Sequence, residues 1–338
     1  MRLSRRWLRP LIAATAILGA CAPAERDYHH EILAFSTYVS VTFYAVTEEE
    51  SRIALTQLEA LFHDVDADWY PWTPGELQRI NAAIAAGERI AVSERLASLM
   101  RAATAYEQQS QGRFNAGLGR LIELWGLHEM ANPPTRIPNA DELAALLQTA
   151  PGLHSLSWQG FELSSSNPEL MIDLGGIAKG AILEESQILL RAIGMDNAIV
   201  NIGGDLIVIG RARGRAARIG IRSPLSDTPL ARVVINDGES VITSGSYERF
   251  VEIDGTRYTH ILNPISGLPV AHTVSVTVVD DDPVLADAAA TALMVGGAGE
   301  FDMLVEALNL EYALLIEAGG DTRLTPGMRE RLQWIDQP

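Results

Sequence analysis

Apolar and polar positions follow helical spacing over much of the first half of the chain and strand-like alternation over most of the second. Residues 35–46, "FSTYVSVTFYAV", alternate as a half-buried strand does. Thr47 and Glu50 then form a capping box before apolar residues at helical spacing, which predicts a helix start. Ser93 and Asn139 open two further predicted helices. This part of the chain is therefore predicted to be mainly helical after one strand.

Short strands dominate the second half. Residues 153–174 predict two or three strands, and a helix then follows "DLGG" and ends near Gly194. From residue 198 on, strand candidates alternate with Gly, Asn-Asp-Gly and Pro turns, before a helix, "VLADAAATALMV", and a last strand, "YALLIEA". Helices and strands mix without a regular βαβ alternation, so the sequence predicts an α+β fold with antiparallel-rich sheets. The seven strand candidates are "AIVNIGGDLIVIG", "ARIGIRSP", "ARVVIND", "ESVITSG", "RFVEIDG", "RYTHIL" and "HTVSVTVVD".

The N-terminus is typical of an export signal. Residues 1–20 combine four arginines, a short apolar run and small residues, and the run is too short for a permanent membrane-spanning helix. "LGAC" looks like a bacterial lipobox that ends at Cys21, the only cysteine of the chain. An ordinary signal with a chance cysteine is the alternative. We expect a signal peptide over 1–20, a lipid-anchored Cys21 on the periplasmic face of a bacterial membrane, a polar tether over 21–30, and one catalytic domain over 31–338, with one lobe or two.

Composition excludes some partners. The 338 residues are 47% hydrophobic and 20% charged, which is typical of a globular protein. The formal net charge is -17, and without residues 1–20 it is -21, from 22 basic and 43 acidic residues. Such a body repels nucleic acid, and the sequence contains no basic stripe. We therefore expect no nucleic-acid partner.

A single lysine stands out among the candidate functional residues. Lys179 is the only lysine of the chain, since the other 25 basic residues are arginine, and it lies in "DLGGIAKG" at a strand-to-helix junction. Two glycines there allow the backbone to approach a ligand, and the N–H groups that open a helix favour an anion. A tight turn with an exposed lysine explains the segment equally well without a ligand.

Asp287 and Thr291 are a candidate metal pair. They lie four residues apart in "ADAAATA", which places them on one face of a helix. Their hard oxygen atoms suit Mg²⁺ or Ca²⁺. A solvated aspartate and a core-facing threonine remain the simpler interpretation of this pair alone.

Three more segments carry weaker signals. "NIGGD" at 201–205 repeats the order of strand, two glycines and an acid, which a glycine bulge also explains. "TSGSYER" at 243–249 offers hydroxyls and backbone donors. His260 in "HILNP" lies at a strand end, where a lone histidine is more often structural. The sequence has no P-loop, HExxH, CxxC or nucleophile elbow.

Taken in order, these blocks resemble the FAD:protein FMN transferase family, also called ApbE-type flavin transferases. The resemblance covers roughly residues 31–320 and includes "GRFNAGLGRLIELWG", which is similar to the family's G-x-F-D/N…G-x-L…W-G block. It implies an ApbE-like, T-fold-related architecture. Two segments depart from the family pattern: Phe35-Ser36-Thr37 stands for the usual Met-Gly-Thr, and "WYPWTPGEL" for an aromatic residue followed by Asp-Ser-Glu-Leu.

The resemblance implies a role for each matching residue. Mg²⁺ would be held by the carbonyl oxygen of Gly176 and by the side chains of Asp287 and Thr291. His260 is the expected general base, with Asp287 as the alternative. Residues that would contact FAD are Phe35, Trp72 (or Tyr70 in its place), Phe114, Asn115, Ala116, Asp173, Lys179, Ser244 and Ile261.

The implied activity is transfer of the FMN half of FAD to a threonine hydroxyl of a partner protein, with release of AMP. The expected acceptor is an exported or membrane-bound, flavin-carrying protein. A Mg²⁺-dependent FAD pyrophosphatase, in which water replaces the threonine, uses the same site and is one alternative. A non-catalytic FAD-binding lipoprotein is the other, although flavin storage does not require a metal.

Overall fold

A computed structural model gives the structure of the chain and describes residues 24–128, 134, 136–149, 151–224, 228–247 and 249–335. The helices within these residues are α1 (Glu48–Trp69), α2 (Glu76–Ala86), α3 (Glu94–Gln109), α4 (Gly119–Leu124), α5 (Ala140–Gln148), α6 (Ala178–Ala192), α7 (Pro283–Ala307) and α8 (Pro326–Arg331). The strands are β1 (Arg26–Ala34), β2 (Thr37–Val46), β3 (Ile90–Ala91), β4 (Leu156–Gln159), β5 (Glu162–Ser165), β6 (Ala198–Ile202), β7 (Asp205–Ile209), β8 (Ala217–Arg222), β9 (Pro229–Ile235), β10 (Ser240–Gly245), β11 (Phe250–Ile253), β12 (Thr256–Thr259), β13 (Thr273–Asp280), β14 (Tyr312–Glu317), β15 (Thr322–Leu324) and β16 (Leu332–Trp334).

An eight-stranded sheet lies at the centre of the fold. Its strand order is β1-β2-β6-β7-β10-β13-β14-β15, and each neighbouring pair is antiparallel. Smaller antiparallel sheets are formed by β16-β9-β8, β3-β5-β4 and β11-β12. The predicted α+β fold with antiparallel-rich sheets is therefore confirmed.

Both faces of the central sheet are buried. Along β7, Ile207 and Ile209 belong to the apolar core shared with α1, α6 and α7, whereas Leu206 and Val208 belong to a second core with β8, β9 and α8. This alternation follows from the two-residue period of a strand. A third, smaller core joins α4 and α5 to β11 and β12. The candidate segments "DLGGIAKG" and "ADAAATA" lie at the start of α6 and within α7, two helices that pack into the first core.

Helix α7 runs through the main core. The Asp282 side chain caps it by accepting a hydrogen bond from the Leu285 N–H at 2.9 Å. Gly297 has a φ of +62° inside the helix, and a Cβ there would overlap the ring of His272, so the kink requires glycine. Among the described helices, α7 alone is long and apolar enough to span a membrane by composition, and most of its apolar window is buried in the core.

Helix starts agree with the caps read from the sequence. Thr47 and Glu50 form both hydrogen bonds of a capping box at α1. Ser93 caps α3, and Asn139 forms a capping box at α5. The helix predicted after "DLGG" is α6. Local side-chain hydrogen bonding explains these results, because a cap depends on residues only a few positions apart.

Two strand predictions needed correction. "AIVNIGGDLIVIG" is not one strand but the hairpin of β6 and β7, which turns at Gly203 and Gly204 with φ of +62° and +110°. The predicted strand over 35–46 begins only at Thr37, because Phe35 and Ser36 form a turn with φ of +54° and +57°.

The tether prediction was wrong over residues 26–30. These residues are part of β1, which pairs with β2 at the edge of the central sheet. His30 packs on Phe43 and its Nε2 lies 2.7 Å from the Ser51 hydroxyl of α1, so polar side chains hold this strand in place. The predicted signal peptide and Cys21 lie outside the described residues.

Candidate active site

Lys179 lies at the start of α6 and pairs with a buried carboxylate. The helix begins at Ala178, so Lys179 is its second residue. Its ammonium contacts the carboxylate of Asp205, the first residue of β7. Asp205 is only 1% exposed, and its other carboxylate oxygen accepts the Thr243 N–H of β10 at 2.7 Å. A fixed buried anion therefore holds the only lysine of the chain.

Asp287 of α7 faces the same helix start. Its Oδ2 accepts the N–H of Gly180 at 2.9 Å, so the donors that open α6 are directed at a carboxylate of the protein itself. Gly180 is required there, because a Cβ would overlap the carbonyl oxygen of Pro283. Burial raises the pKa of Asp287 to about 6, while the charge of Lys179 opposes this shift and that of Asp205 adds to it.

The three predicted metal ligands come together. Thr291 lies one turn beyond Asp287, and a Cβ built on Gly176 would lie 3.3 Å from the Thr291 hydroxyl oxygen. Within the described ranges no group of three His, Cys, Asp or Glu side chains forms a metal site. A site here would therefore use one carboxylate, one hydroxyl and one carbonyl. Such oxygen donors fit Mg²⁺, which usually keeps several waters.

His260 is held as a neutral imidazole. The Arg249 carbonyl accepts both its backbone N–H at 3.2 Å and the N–H on its Nδ1 at 3.0 Å. A carbonyl can only accept, so the proton lies on Nδ1 and Nε2 keeps its lone pair. Burial lowers the pKa of His260 to about 4, and the positive charges of Arg249 and Lys179 contribute. The ring is therefore neutral at pH 7 and able to accept a proton.

Asp173 lies beside the aromatic segment that the sequence left ambiguous. The Trp72 indole N–H donates to Asp173 Oδ2 at 3.3 Å, and the Gly175 N–H donates to Oδ1 at 2.8 Å. Burial raises the pKa of Asp173, whereas these two bonds and the charge of Arg249 lower it. Trp72 therefore bonds directly to Asp173, whereas the Tyr70 hydroxyl donates to the His128 carbonyl at 3.5 Å. One face of Trp72 stacks on His128, with ring centroids 4.3 Å apart.

Phe114, Asn115 and Ala116 connect this aspartate to the metal ligands. The Ala116 carbonyl accepts the Asp173 N–H at 2.8 Å, and the Phe114 ring lies 3.5 Å from where a Cβ of Gly176 would be. The Asn115 amide bonds to the backbone of Gly117 and Pro151, so it shapes its own loop. A cavity of about 490 Å³ opens beside this loop, and Asn115 is the only predicted site residue in its lining.

The three remaining predicted residues lie at the periphery. Phe35 packs edge-to-face on Phe62 of α1, with centroids 5.6 Å apart. Ser244 follows Thr243 on β10, next to the strand residue that binds Asp205. Ile261 is buried directly after His260. These positions are compatible with pocket walls and show no polar contact with the charged centre.

Known proteins are similar to this chain over most of its length. The family model described as the ApbE family matches residues 35–316. The chain belongs to the ApbE family. An FAD:protein FMN transferase of Rhodobacter capsulatus is 36% identical over 326 residues, which cover 96% of this chain and 62% of that protein. This chain thus spans less than two thirds of that ApbE-family relative.

Other members match over nearly their full length. An FAD:protein FMN transferase of Vibrio cholerae is 30% identical over 93% of this chain and 94% of its own. The crystal structure of an ApbE protein from Thermotoga maritima superposes with a TM-score of 0.83 at 27% identity, covering 90% of this chain and 99% of that one. The ApbE fold assignment therefore rests on sequence and structure together.

Three residues of this candidate site were not predicted from the sequence. Asp205 ends the quoted "NIGGD" segment, but nothing in the sequence indicated its contact with Lys179. Arg249 lies in "TSGSYER", and only the fold brings its charge near Asp173 and its carbonyl to His260. His128 carries no sequence signal at all, because its stacking on Trp72 joins residues far apart in the chain.

Proposed function

We propose that the chain is an FAD:protein FMN transferase that moves the FMN moiety of FAD to a threonine hydroxyl of an exported acceptor protein and releases AMP. The observation that carries this proposal is the contact between the start of α6 and α7: the Gly180 N–H binds Asp287, a Cβ on Gly176 would lie 3.3 Å from the Thr291 hydroxyl oxygen, and the charge of Lys179 acts on Asp287. The printed names of the R. capsulatus and V. cholerae relatives support the same activity.

Local cations make FAD binding possible on an acidic protein. Lys179 and Arg249 are the cations whose charges act within the described site, on Asp287, His260 and Asp173. These three residues are ones that the proposal places around FAD or the reacting threonine. A compact ammonium and a guanidinium suit the two phosphates of the pyrophosphate. Trp72 supplies an aromatic surface near Asp173 for a ring of the dinucleotide.

The charge balance supports a divalent cation. Two cations, Lys179 and Arg249, stand against three carboxylates, Asp173, Asp205 and Asp287, and the pyrophosphate adds further negative charge. Burial raises the pKa of Asp287, and the charge of Lys179 opposes this shift only in part. Asp287, the Thr291 hydroxyl and the Gly176 carbonyl would hold Mg²⁺. When bound, Mg²⁺ neutralises charge that develops on the phosphate oxygens.

His260 would take the proton from the acceptor. The threonine oxygen forms a bond to the FMN phosphorus, the bond from that phosphorus to the bridging oxygen breaks, and AMP leaves with the electron pair. The threonine proton passes to Nε2 of His260, which is free because Nδ1–H is bound to Arg249. Lys179 would stabilise charge on the pyrophosphate. Asp287 would hold the metal and would therefore be a poorer base.

The proposed location is the periplasmic face of a bacterial membrane, with a lipid on Cys21. It rests on the "LGAC" segment and the basic, apolar signal before it. One acyl chain binds a membrane only marginally, so stable anchoring needs two or more. Cys21→Ser should release the protein from the membrane fraction. A wild-type protein that is soluble with an unmodified N-terminus would contradict the anchor.

The activity is tested by incubating the protein with FAD, Mg²⁺ and a candidate exported acceptor, and by assaying AMP. Transfer predicts AMP release that depends on the acceptor and matches the flavin bound to it. AMP release without acceptor indicates a pyrophosphatase, and no AMP at all indicates flavin storage. Either of the last two results contradicts the proposal.

A further inference from the structure

The Lys179 ammonium interacts with two buried carboxylates. Lys179 contacts Asp205 on β7, and its charge also acts on Asp287 of α7. Lys179 carries its charge on a flexible four-carbon stem, so the ammonium can follow whichever anion is available. The two carboxylates have different tasks under the proposed function, because only Asp287 is a metal ligand.

We propose that Asp205 is a positioning residue that engages the Lys179 ammonium and so leaves the Asp287 carboxylate available to a divalent cation. The inference rests on the metal site of the proposed function. It assigns a task to a buried acid that neither binds the metal nor takes part in proton transfer.

The surroundings of Asp205 suit a fixed partner for a lysine. One carboxylate oxygen accepts the Thr243 N–H at 2.7 Å, which leaves the other directed at the ammonium. The turn before Asp205 is also fixed, because the Gly204 N–H donates to the Asn201 side chain at 2.8 Å. With 1% exposure, Asp205 has little access to water as an alternative partner. Its pairing with Lys179 is therefore well defined.

Loss of Asp205 would redirect the lysine. The N–H of Gly180 already holds the Asp287 carboxylate at the start of α6, and Lys179 is the residue before Gly180. An ammonium without Asp205 would pair with Asp287 and compete with a cation for the same oxygens. In the wild type, Asp205 would therefore raise the metal affinity in two ways. It keeps the competing Lys179 ammonium away from Asp287, and its own negative charge attracts the cation.

A double-mutant cycle separates these two effects. Asp205→Asn keeps an oxygen for the Thr243 N–H and removes the charge, and Lys179→Met removes the competitor. Mg²⁺ affinity is measured by calorimetry on the FAD-free protein for the wild type, both single variants and the double variant. If the charges acted independently, Lys179→Met would change the affinity by the same factor with and without Asp205.

We expect Asp205→Asn to weaken Mg²⁺ binding at least tenfold. Adding Lys179→Met should then restore the affinity to within a few-fold of the Lys179→Met single variant. Wild-type affinity in Asp205→Asn, or no recovery in the double variant, would overturn the inference while leaving the metal site intact. A wild-type protein that binds no Mg²⁺ overturns the metal site itself, and the inference with it.

The unique lysine allows a second measurement. Protein labelled with ¹⁵N-lysine gives one side-chain ammonium signal, which reports on Lys179 directly. We expect Mg²⁺ to shift this signal slightly in the wild type and strongly in Asp205→Asn, where the metal displaces the ammonium from Asp287. Equal shifts in both would contradict the inference. Asp205→Ser replaces the asparagine variant if circular dichroism shows that the latter does not fold.

Discussion

Lys179 shows how a single residue combines charge and shape. A side chain that serves only as a surface charge should be replaceable by arginine, which this chain uses 25 times. The ammonium instead contacts a buried carboxylate that is fixed from its other side. A planar guanidinium on a longer stem does not fit where a compact ammonium does.

Lys179→Arg should therefore bind FAD about ten- to a hundredfold more weakly, the size of one charge-assisted hydrogen bond. Lys179→Met should show a similar loss because the charge is gone. Lys179→Arg should keep the melting temperature of the wild type within a few degrees, because a positive charge still faces Asp205. Lys179→Met should lower the melting temperature, because it leaves the buried Asp205 carboxylate without its cation. Calorimetry with FAD measures these affinities. An FAD affinity of Lys179→Arg equal to that of the wild type would show that the shape of the side chain does not matter.

His260 predicts an unusual pH dependence. Its pKa is lowered to about 4, so the neutral form that accepts a proton persists down to that pH. At saturating Mg²⁺, kcat/KM should stay level from pH 8 to pH 5 and fall only as the pH drops through about 4. A decline centred on pH 6.5, the ordinary value for histidine, would contradict the arrangement.

The matched control is His260→Ala. It should lower the rate by about 10²–10⁴-fold, as loss of a general base does, with little change in FAD affinity. The decline near pH 4 should also disappear. An unchanged rate would assign the proton transfer to another group.

The proximity of individual candidate residues was predictable where one segment holds the signal. Asp287 and Thr291 share a helix face, so spacing alone brings them together. Their approach to Gly176 and Lys179 depends on the packing of α6 against α7, which no local pattern contains. Asp205 was quoted within "NIGGD" without a role, because its partner lies 26 residues earlier on another element.

At the scale of elements, the α6–α7 contact builds the site. Gly180 has no side chain, so the two helices can approach closely at this residue. A Cβ on Gly180 would overlap the Pro283 carbonyl oxygen and lie 3.0 Å from the Asp287 Cβ. The same approach brings the Gly180 N–H to Asp287. The proposed metal site therefore requires a glycine at this position of the helix.

Gly180→Ala should lower the free energy of unfolding by about 1–3 kcal/mol, as overpacking of a core does, and should abolish Mg²⁺ binding. The matched control is Gly299→Ala, an exposed position of α7 where a Cβ would meet nothing within 4 Å. That change should be neutral or stabilising by up to about 1 kcal/mol. Urea denaturation measures both, and equal stability of the two variants would contradict the packing argument.

Elements were predictable where local hydrogen bonds or alternation define them. The caps at Thr47, Ser93 and Asn139 fixed three helix starts. Strand β1 was missed because its residues are polar and its place is set by β2 and α1. The strand order of the central sheet joins distant segments, and hydrophobic periodicity carries no information about it.

At the scale of the whole molecule, the buried carboxyl of the candidate site lowers the stability of the folded state. Asp287 is buried with a pKa raised to about 6, above its unfolded value of 3.8. A carboxyl whose pKa is raised on folding destabilises the folded state at pH values above that pKa, and the cost fades as pH falls towards the unfolded value. The metal-free protein therefore carries a destabilising charge at neutral pH.

Asp287→Asn should raise the melting temperature of the metal-free protein at pH 8, by roughly 1–3 °C. The amide keeps an oxygen for the Gly180 N–H and removes the buried charge. The gain should shrink at pH 5, where the wild-type carboxyl is largely protonated. Calorimetric melting at the two pH values checks this, and a lower melting temperature at pH 8 would show that the carboxylate stabilises the fold.

The central claim is that this ApbE-family chain uses the Asp287 site to attach FMN to a protein threonine. Intact-mass spectrometry of an exported acceptor, after incubation with the protein, FAD and Mg²⁺, tests it most directly. The account predicts a gain equal to FMN less one water, absent with Asp287→Asn, with a chelator, or with the target threonine of the acceptor changed to alanine. An acceptor of unchanged mass with the wild-type protein, or a full gain with Asp287→Asn, would contradict it.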